Sequence, residues 1–365
     1  MHYHLILTPD CDSQCRYCYG KSMKEENNLS KTWKFDFSCP NKWDVDIQKL
    51  KKFIDNDKDA VIIFYGGEPL LQIEKIKEII DKINVPFRMQ TNGKLLDKLP
   101  IKYLNKIDKI LISLDGSKER TDYNRGYGTF DKVIFNINKI KSEGYKGELI
   151  ARMTISEFPD VYEQVKNLVD LGFKSIHWQL DAGFYKCDFS EDKFSRFVEE
   201  YNKSVSKLIS YWIDEISKGN FIRIYPFVAI VDSLLKNEKT LLRCGAGHSG
   251  YAICPNGEIV ACPIMNCIKD FEAGDLDFNF NELKKFTINE CSECDIRDIC
   301  GGRCLYWRKA KLWDKKGDGL ICNTIKHLVS ELKNKIPEIN RLIDNNTATK
   351  NDFEYEKYFG PEIIP

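Results

Sequence analysis

The fourteen cysteines of this chain are bunched rather than spread, and that constrains its fold more than any other feature. Three stand at Cys11, Cys15 and Cys18, nine lie between Cys244 and Cys322, and only Cys39 and Cys187 fall elsewhere. A disulfide framework staples a small fold with cysteines distributed along it, whereas the ligands of an ion or cluster come from short loops and therefore bunch. The chain opens on MHYHLILTP, with no basic segment leading into a long apolar run, and nowhere approaches a membrane span of about 20 apolar residues. The expectation is a cytoplasmic protein whose thiols hold metal in a reducing compartment. Acidic and basic residues balance at 55 each, so net charge points to neither nucleic acid nor a membrane surface as partner.

Through the first half, short apolar runs rich in β-branched residues alternate with amphipathic helical stretches. The strands read as Tyr3 to Leu7, Val61 to Tyr65, Phe87 to Gln90, Lys109 to Leu114, Glu148 to Ile155 and Ser175 to Leu180. DVDIQKLKKFI, IEKIKEIIDKI, DKVIFNINKIK and DVYEQVKNLVDL supply helices between or after them. Repeated βα units imply a parallel sheet curled by right-handed crossovers. A closed eight-unit barrel takes about 250 residues, more than precede the change of character near Gly219-Asn220. The α/β fold class predicted is therefore a partial (β/α)6 TIM-like barrel over residues 1–220. A long helix from Glu191 to Lys218 completes it. A small C-terminal cysteine-rich domain follows over 221–345, loop-rich beyond Tyr225 and closed by a helix around Asn323 to Asn345. A polar, peripheral tail spans 346–365.

Cys11, Cys15 and Cys18 form C-x3-C-x2-C directly after the first strand, on the face where βα barrels carry their chemistry. Three soft thiolates suit a four-iron cluster with one iron left free for a ligand. Zinc would call for two cysteine pairs or a nearby histidine, and His2 and His4 on the preceding strand point away along it. Gly66, Gly67, Glu68 and Pro69 follow the second strand. The glycines permit close backbone approach and the carboxylate can bind an ammonium, although alone the tetrapeptide is an ordinary strand-to-helix turn.

CDSQCRYCY followed by YGGEPLL resembles the signature of radical S-adenosylmethionine (SAM) enzymes, especially those with C-terminal auxiliary clusters. The resemblance implies an oxidoreductase whose free iron is chelated by the amino and carboxylate groups of SAM. One electron then breaks the sulfonium bond, and the 5′-deoxyadenosyl radical abstracts hydrogen from substrate. QTNGKLL and SLDGSKERTDYNRG are similar to further segments of the same subfamily. Ser113 is assigned to SAM by that likeness. Arg152 is assigned to its carboxylate, with a structural salt bridge as the alternative, and Tyr17 to the neighbourhood of the adenine. Thr121 departs from the pattern, which commonly has histidine before the residue matching Asp122. No catalytic acid or base is assigned.

In the C-terminal region the spacing is C-x12-G-x4-C from Cys244 to Cys262, then C-x2-C-x5-C-x3-C-x17-C from Cys291 to Cys322. It resembles the seven-cysteine SPASM pattern, which binds two auxiliary [4Fe-4S] clusters, making three with the first. By that resemblance Cys291, Cys294, Cys300 and Cys322 hold an outer cluster, and Cys244, Cys262 and Cys304 an inner one. Zinc fits the same spacing when the N-terminal motif is ignored. For the fourth inner ligand Cys254, Cys267 and an open iron remain, with the open iron or Cys267 ahead of Cys254. A two-residue hairpin turn at Asn256-Gly257 would pair Cys254 with Ile259 and set Cys254 and Cys262 on opposite faces.

SPASM proteins of this kind mostly modify ribosomal peptides or proteins by cross-linking, epimerisation or side-chain oxidation. That is the leading expectation, with a peptide or protein partner and a flavodoxin- or ferredoxin-type electron donor. A small-molecule substrate is a second enzymatic reading. A non-catalytic zinc-binding interaction module is the alternative from another class. Family members that oxidise sulfatases carry aspartate after the cysteine matching Cys262, where this chain has Pro263. The chain begins at its first barrel strand, so no N-terminal leader-binding domain is expected.

Overall fold

The computed structural model describes residues 1–19, 33–181, 190–311 and 314–365. It divides into two compact units, one of residues 1–114, 118–149 and 245–287, the other of residues 115–117, 150–244 and 288–365.

In the first unit β1 (His2–Ile6), β2 (Val61–Tyr65), β3 (Phe87–Thr91) and β4 (Ile107–Ser113) run parallel. Their runs are nearly continuously apolar, as strands covered on both faces must be, and Leu5, Ile62, Phe64, Met89, Ile110 and Ile112 are fully buried. The helix Ile47–Asp55 starts on the side chain of Asp46, which accepts the Gln48 N–H, and buries Leu50, Phe53 and Ile54. Helices Ile73–Lys82 and Thr129–Ser142 repeat that one-sided burial.

The second edge of β1 is covered by the late segment β8 (Gly250–Ile253), parallel to it from His2↔Gly250 to Leu5↔Ile253. Then β9 (Glu258–Val260) and β10 (Glu272–Asp275) follow antiparallel. An uncovered edge strand is a template for unwanted pairing, and this hairpin removes it. Residues 245–287 therefore belong to the same unit as the first strands, and the units cross the 220/221 boundary read from the sequence.

The turn of this hairpin corrects the expected register. Ala252 pairs with Val260 and Ile253 with Ile259, and the Cys254 amide donates to Glu258 O at 2.8 Å. The loop is thus three residues, Pro255-Asn256-Gly257, and Gly257 takes φ +89°, the left-handed conformation that closes such loops. One extra loop residue shifts the pairing by one. Cys254 therefore stands opposite Glu258 rather than Ile259.

In the second unit β5 (Glu148–Ile155), β6 (Ser175–Leu180) and β7 (Arg223–Ile224) are parallel. All six strands expected from sequence are present. The helix Glu191–Ser217 is capped by Ser190 and buries ten residues along one side. Its Tyr201 hydroxyl accepts the indole N–H of Trp178 at 2.8 Å. It packs on the final helix, where Asn202 Nδ2 donates to Asn323 Oδ1 at 2.8 Å and Ser206 shares a hydrogen bond with His327.

Three expectations for this half are corrected. Tyr225–Lys236, read as the start of loop, is a helix with nine of its residues buried. Being apolar all round, YPFVAIVDSLL carries no amphipathic stripe to betray it. The final helix begins at Lys315, where the Asp314 carboxylate accepts the Lys316 and Gly317 amides, and ends at Asp344. The segment after 346 is no peripheral tail, since Phe353, Phe359, Glu362 and Ile364 are all buried. Phe353 stacks edge-on against Trp212 and Phe221.

Candidate cluster sites

The loop carrying Cys11, Cys15 and Cys18 leaves β1 and is fastened by the turns after the next two strands. Gly67 N donates to Thr8 O at 2.8 Å and Glu68 N to Asp10 O at 2.9 Å. This approach requires glycine at both positions. A Cβ on Gly66 would stand 2.3 Å from Thr8 O, and one on Gly67 would stand 2.3 Å from Asp10 O and 2.4 Å from Pro9 O. Gly66 also has φ +146°. Pro69 opens the short 3-10 turn that follows.

Glu68 is not the exposed glutamate of an ordinary turn. It is fully buried, and its carboxylate accepts hydrogen bonds from Leu70 N at 3.0 Å, Thr91 Oγ1 at 2.7 Å and Asn92 N at 2.7 Å. Burial pushes the carboxyl up to about 7, against those three donors, which pull it down. In this geometry Glu68 ties the turn after β2 to the turn after β3. That second turn completes the loop's frame. Asn92 Nδ2 donates to Asp12 Oδ1 at 2.6 Å and lies 3.8 Å from Cys11 Sγ, while Lys94 Nζ donates to Asp12 O at 2.6 Å. Asn136 in turn holds the carbonyls of Gly93 and Lys94. Sequence reading gave Asn92 and Lys94 no role, although TNGK contains both.

The loop's far end is held by the helix Lys118–Arg125. Arg16 N donates to Asn124 O at 2.9 Å, the Arg16 guanidinium lies over the Tyr123 ring, and Arg125 lies 5.3 Å from the ring centroid of Tyr17. Tyr17 therefore presents one ring face to a cation. Ser113 is the last residue of β4 and half-buried.

In the second unit Arg152 lies on β5 directly beside His177 of β6, and its Nη2 donates to Gln179 Oε1 at 2.7 Å. His177 is fully buried, and among the described residues neither of its ring nitrogens has a hydrogen-bond partner. Burial, reinforced by the Arg152 charge, holds the imidazole neutral. Sequence reading missed it, and a lone histidine on an apolar strand gives little signal.

The C-terminal cysteines divide between the units. Cys291, Cys294, Cys300 and Cys322 all belong to the second and together line one cavity of about 260 Å³, with Arg297, Gly302, Arg308 and Lys326. Among the described residues no three His, Cys, Asp or Glu side chains are drawn tightly enough around one point for a single metal ion. Cys304 caps the helix Leu305–Ala310, its sulfur accepting the Trp307 amide at 3.5 Å. Cys304 and Cys244 are in the second unit and Cys262 in the first.

Cys254, Cys267 and Cys39 form a separate group in the first unit. Cys39 packs on the core cluster that contains Cys254. A hydrogen bond between the two thiols holds Cys39 below the ordinary thiol range and pushes Cys254 well above it, and Cys267 lies near enough to add to that rise.

The first cysteine set sits on a recognisable scaffold: the model of the Radical SAM superfamily matches residues 5–172, which span the first cysteine loop and the glycine turns. Residues 5–172 thus carry a Radical SAM superfamily domain. The chain is 24% identical over 350 residues to the cysteine-type anaerobic sulfatase-maturating enzyme of Clostridium perfringens, covering 84% of this chain and 90% of that one. The structure of native anSMEcpe with bound AdoMet and Kp18Cys peptide superposes with a TM-score of 0.69 at 18% identity, covering 93% of this chain and 100% of that one. Streptococcus suis SuiB bound to its precursor peptide SuiA matches with a TM-score of 0.52 at 15% identity, over 83% of this chain and 71% of that one. The likeness to sulfatase-maturating enzymes thus extends over 84% of this chain in sequence, and the likeness in fold over 93% of it. Among the described residues no helix is long and apolar enough to cross a membrane.

Proposed function

We propose that this enzyme abstracts hydrogen from a side chain or backbone position of a ribosomally made peptide or protein, using SAM and three four-iron clusters. The observation that carries this reading is the match along the full length of a peptide-bound relative, which includes both cysteine regions. Cys11, Cys15 and Cys18 would hold the first four-iron cluster, which when bound would supply the electron for reductive cleavage of SAM. The protein's part is positioning. Gly66 and Gly67 bring the backbone after β2 against the cysteine loop, leaving carbonyls rather than the engaged Glu68 carboxylate to receive an ammonium. Arg152 offers a guanidinium to a carboxylate, Ser113 a hydroxyl at a strand end, and Tyr17 a ring for stacking.

The four thiols around the second unit's cavity, with buried guanidinium N–H groups lacking partners, fit a thiolate-bound anionic cluster. The inner set of Cys244, Cys262 and Cys304 rests on spacing. Pro263 opens a short helical turn where sulfatase-oxidising relatives have aspartate. A substrate other than a sulfatase follows.

The test uses short peptides encoded beside the gene, each incubated anaerobically with holoenzyme, SAM and dithionite and read by mass spectrometry. A peptide that changes mass, or exchanges hydrogen with deuterated solvent, in step with 5′-deoxyadenosine supports the reading. Modification of a sulfatase peptide at comparable rate would overturn the assignment from Pro263. Turnover confined to small metabolites would overturn the peptide reading itself.

A further inference from the structure

The cavity of the second unit is lined by two guanidinium groups beside its four thiols. Arg308, on the helix Leu305–Ala310, donates from Nη2 to Cys322 Sγ at 3.0 Å. Its Nε is buried without a partner among the described residues, and the Asp318 carboxylate stands 4.0 Å from Nη1. Arg297, on the short helix Arg297–Cys300, donates from Nη2 to Ile288 O at 2.9 Å, and its Nη1 is likewise buried and unpaired.

Room for that second group is built into the chain. A Cβ on Gly302 would stand 2.9 Å from Arg297 Nη1, so the glycine before Arg303 in CGGRC keeps the space open. Leaving a charged donor buried and unsatisfied is costly. Both residues line one cavity ringed by sulfur, and Arg308 already donates to one of its thiols, which points to an anionic occupant.

We propose that Arg308 and Arg297 are positioning residues that raise the reduction potential of the cluster held by Cys291, Cys294, Cys300 and Cys322. The inference rests on the reading of that cavity as a cluster site. An added electron makes a thiolate-bound cluster more anionic. Cations and N–H···S hydrogen bonds stabilise that reduced form, and both raise the potential. Arginine serves better than lysine, because its charge is permanent and its planar fork can reach more than one sulfur. The cluster so tuned accepts an electron readily and holds it close to the final helix, whose Lys326 also lines the cavity.

The test is an EPR-monitored redox titration of the full reconstituted chain in the Cys11→Ala, Cys15→Ala, Cys18→Ala background, which removes the first cluster's signal. Arg308→Gln shifts the outer cluster's midpoint potential downward at unchanged iron content, Arg308→Lys shifts it less, and Arg308→Gln with Arg297→Gln shifts it furthest. An unchanged potential in the double variant overturns the proposal. So does loss of about four irons in both Arg308 variants, which makes the arginine a requirement for assembly rather than for tuning. A Cys291→Ala, Cys294→Ala control separates the two layers: retention of all its iron means that the cavity holds no cluster and the reading beneath the proposal fails.

Discussion

Gly67→Ala abolishes most SAM cleavage, lowering 5′-deoxyadenosine formation by about 100-fold or more, because a catalytic loop displaced by about 1 Å loses that much. The added methyl would overlap the carbonyls of Pro9 and Asp10 at 2.4 and 2.3 Å, both backbone atoms that cannot rotate aside. Relief requires the cysteine loop to move away, breaking the bonds from Gly67 N to Thr8 O and from Glu68 N to Asp10 O. Gly319→Ala is the matched control, since a Cβ there meets nothing within 4 Å and, as at Gly67, φ lies outside the left-handed region. Anaerobic assay of both variants at equal iron loading checks this. Equal activity in the two would mean that the glycine turn does not set the loop.

Glu68→Ala unfolds more easily than any surface change would. Three buried donors, on Leu70, Thr91 and Asn92, lose their acceptor, at about 1–3 kcal/mol each. A loss of at least about 3 kcal/mol, or roughly 4 °C or more in melting temperature, is expected. Glu68→Gln retains one acceptor oxygen and turns an NH2 toward a donor, so its loss is smaller.

The pH dependence has a fixed sign. Burial raises this carboxyl to about 7 in the folded chain, above its ordinary value, so its neutral form contributes stability below the unfolded pKa, and this is lost as pH rises through 7. The deficit of Glu68→Gln relative to the natural protein therefore shrinks between pH 5 and pH 8, by about 3 kcal/mol at most. Thermal melts of the two proteins across that range measure it. A widening gap would show that the carboxylate is instead the stabilised form.

What could be read from the sequence was whatever depends on local pattern. The six strands appear where β-branched runs place them, because a parallel strand buried on both faces needs apolar residues throughout. The cysteine loop and glycine turn are adjacent because each follows a strand at one end of a parallel sheet. The errors arose where a long-range partner decides. Helix 225–236 looks like loop or strand until both faces are seen to be buried. Residues 353–364 look polar until Phe353 meets Trp212. The hairpin after Tyr251 turns on three residues instead of two, a difference of one Gly257 conformation that shifts the pairing by one. Glu68 was legible as a motif and not as a buried tie, since its three donors come from two separate turns. Arg308 and Arg297 carried no motif at all.

The most direct measurement of the central claim is 5′-deoxyadenosine formation by the anaerobically reconstituted chain with SAM and dithionite, alongside its Cys11→Ala, Cys15→Ala, Cys18→Ala variant. The account predicts cleavage by the natural chain loaded with about twelve irons, and no cleavage by the variant, which keeps about eight. A fully iron-loaded natural chain that leaves SAM intact, or a variant that still cleaves it, would contradict the account.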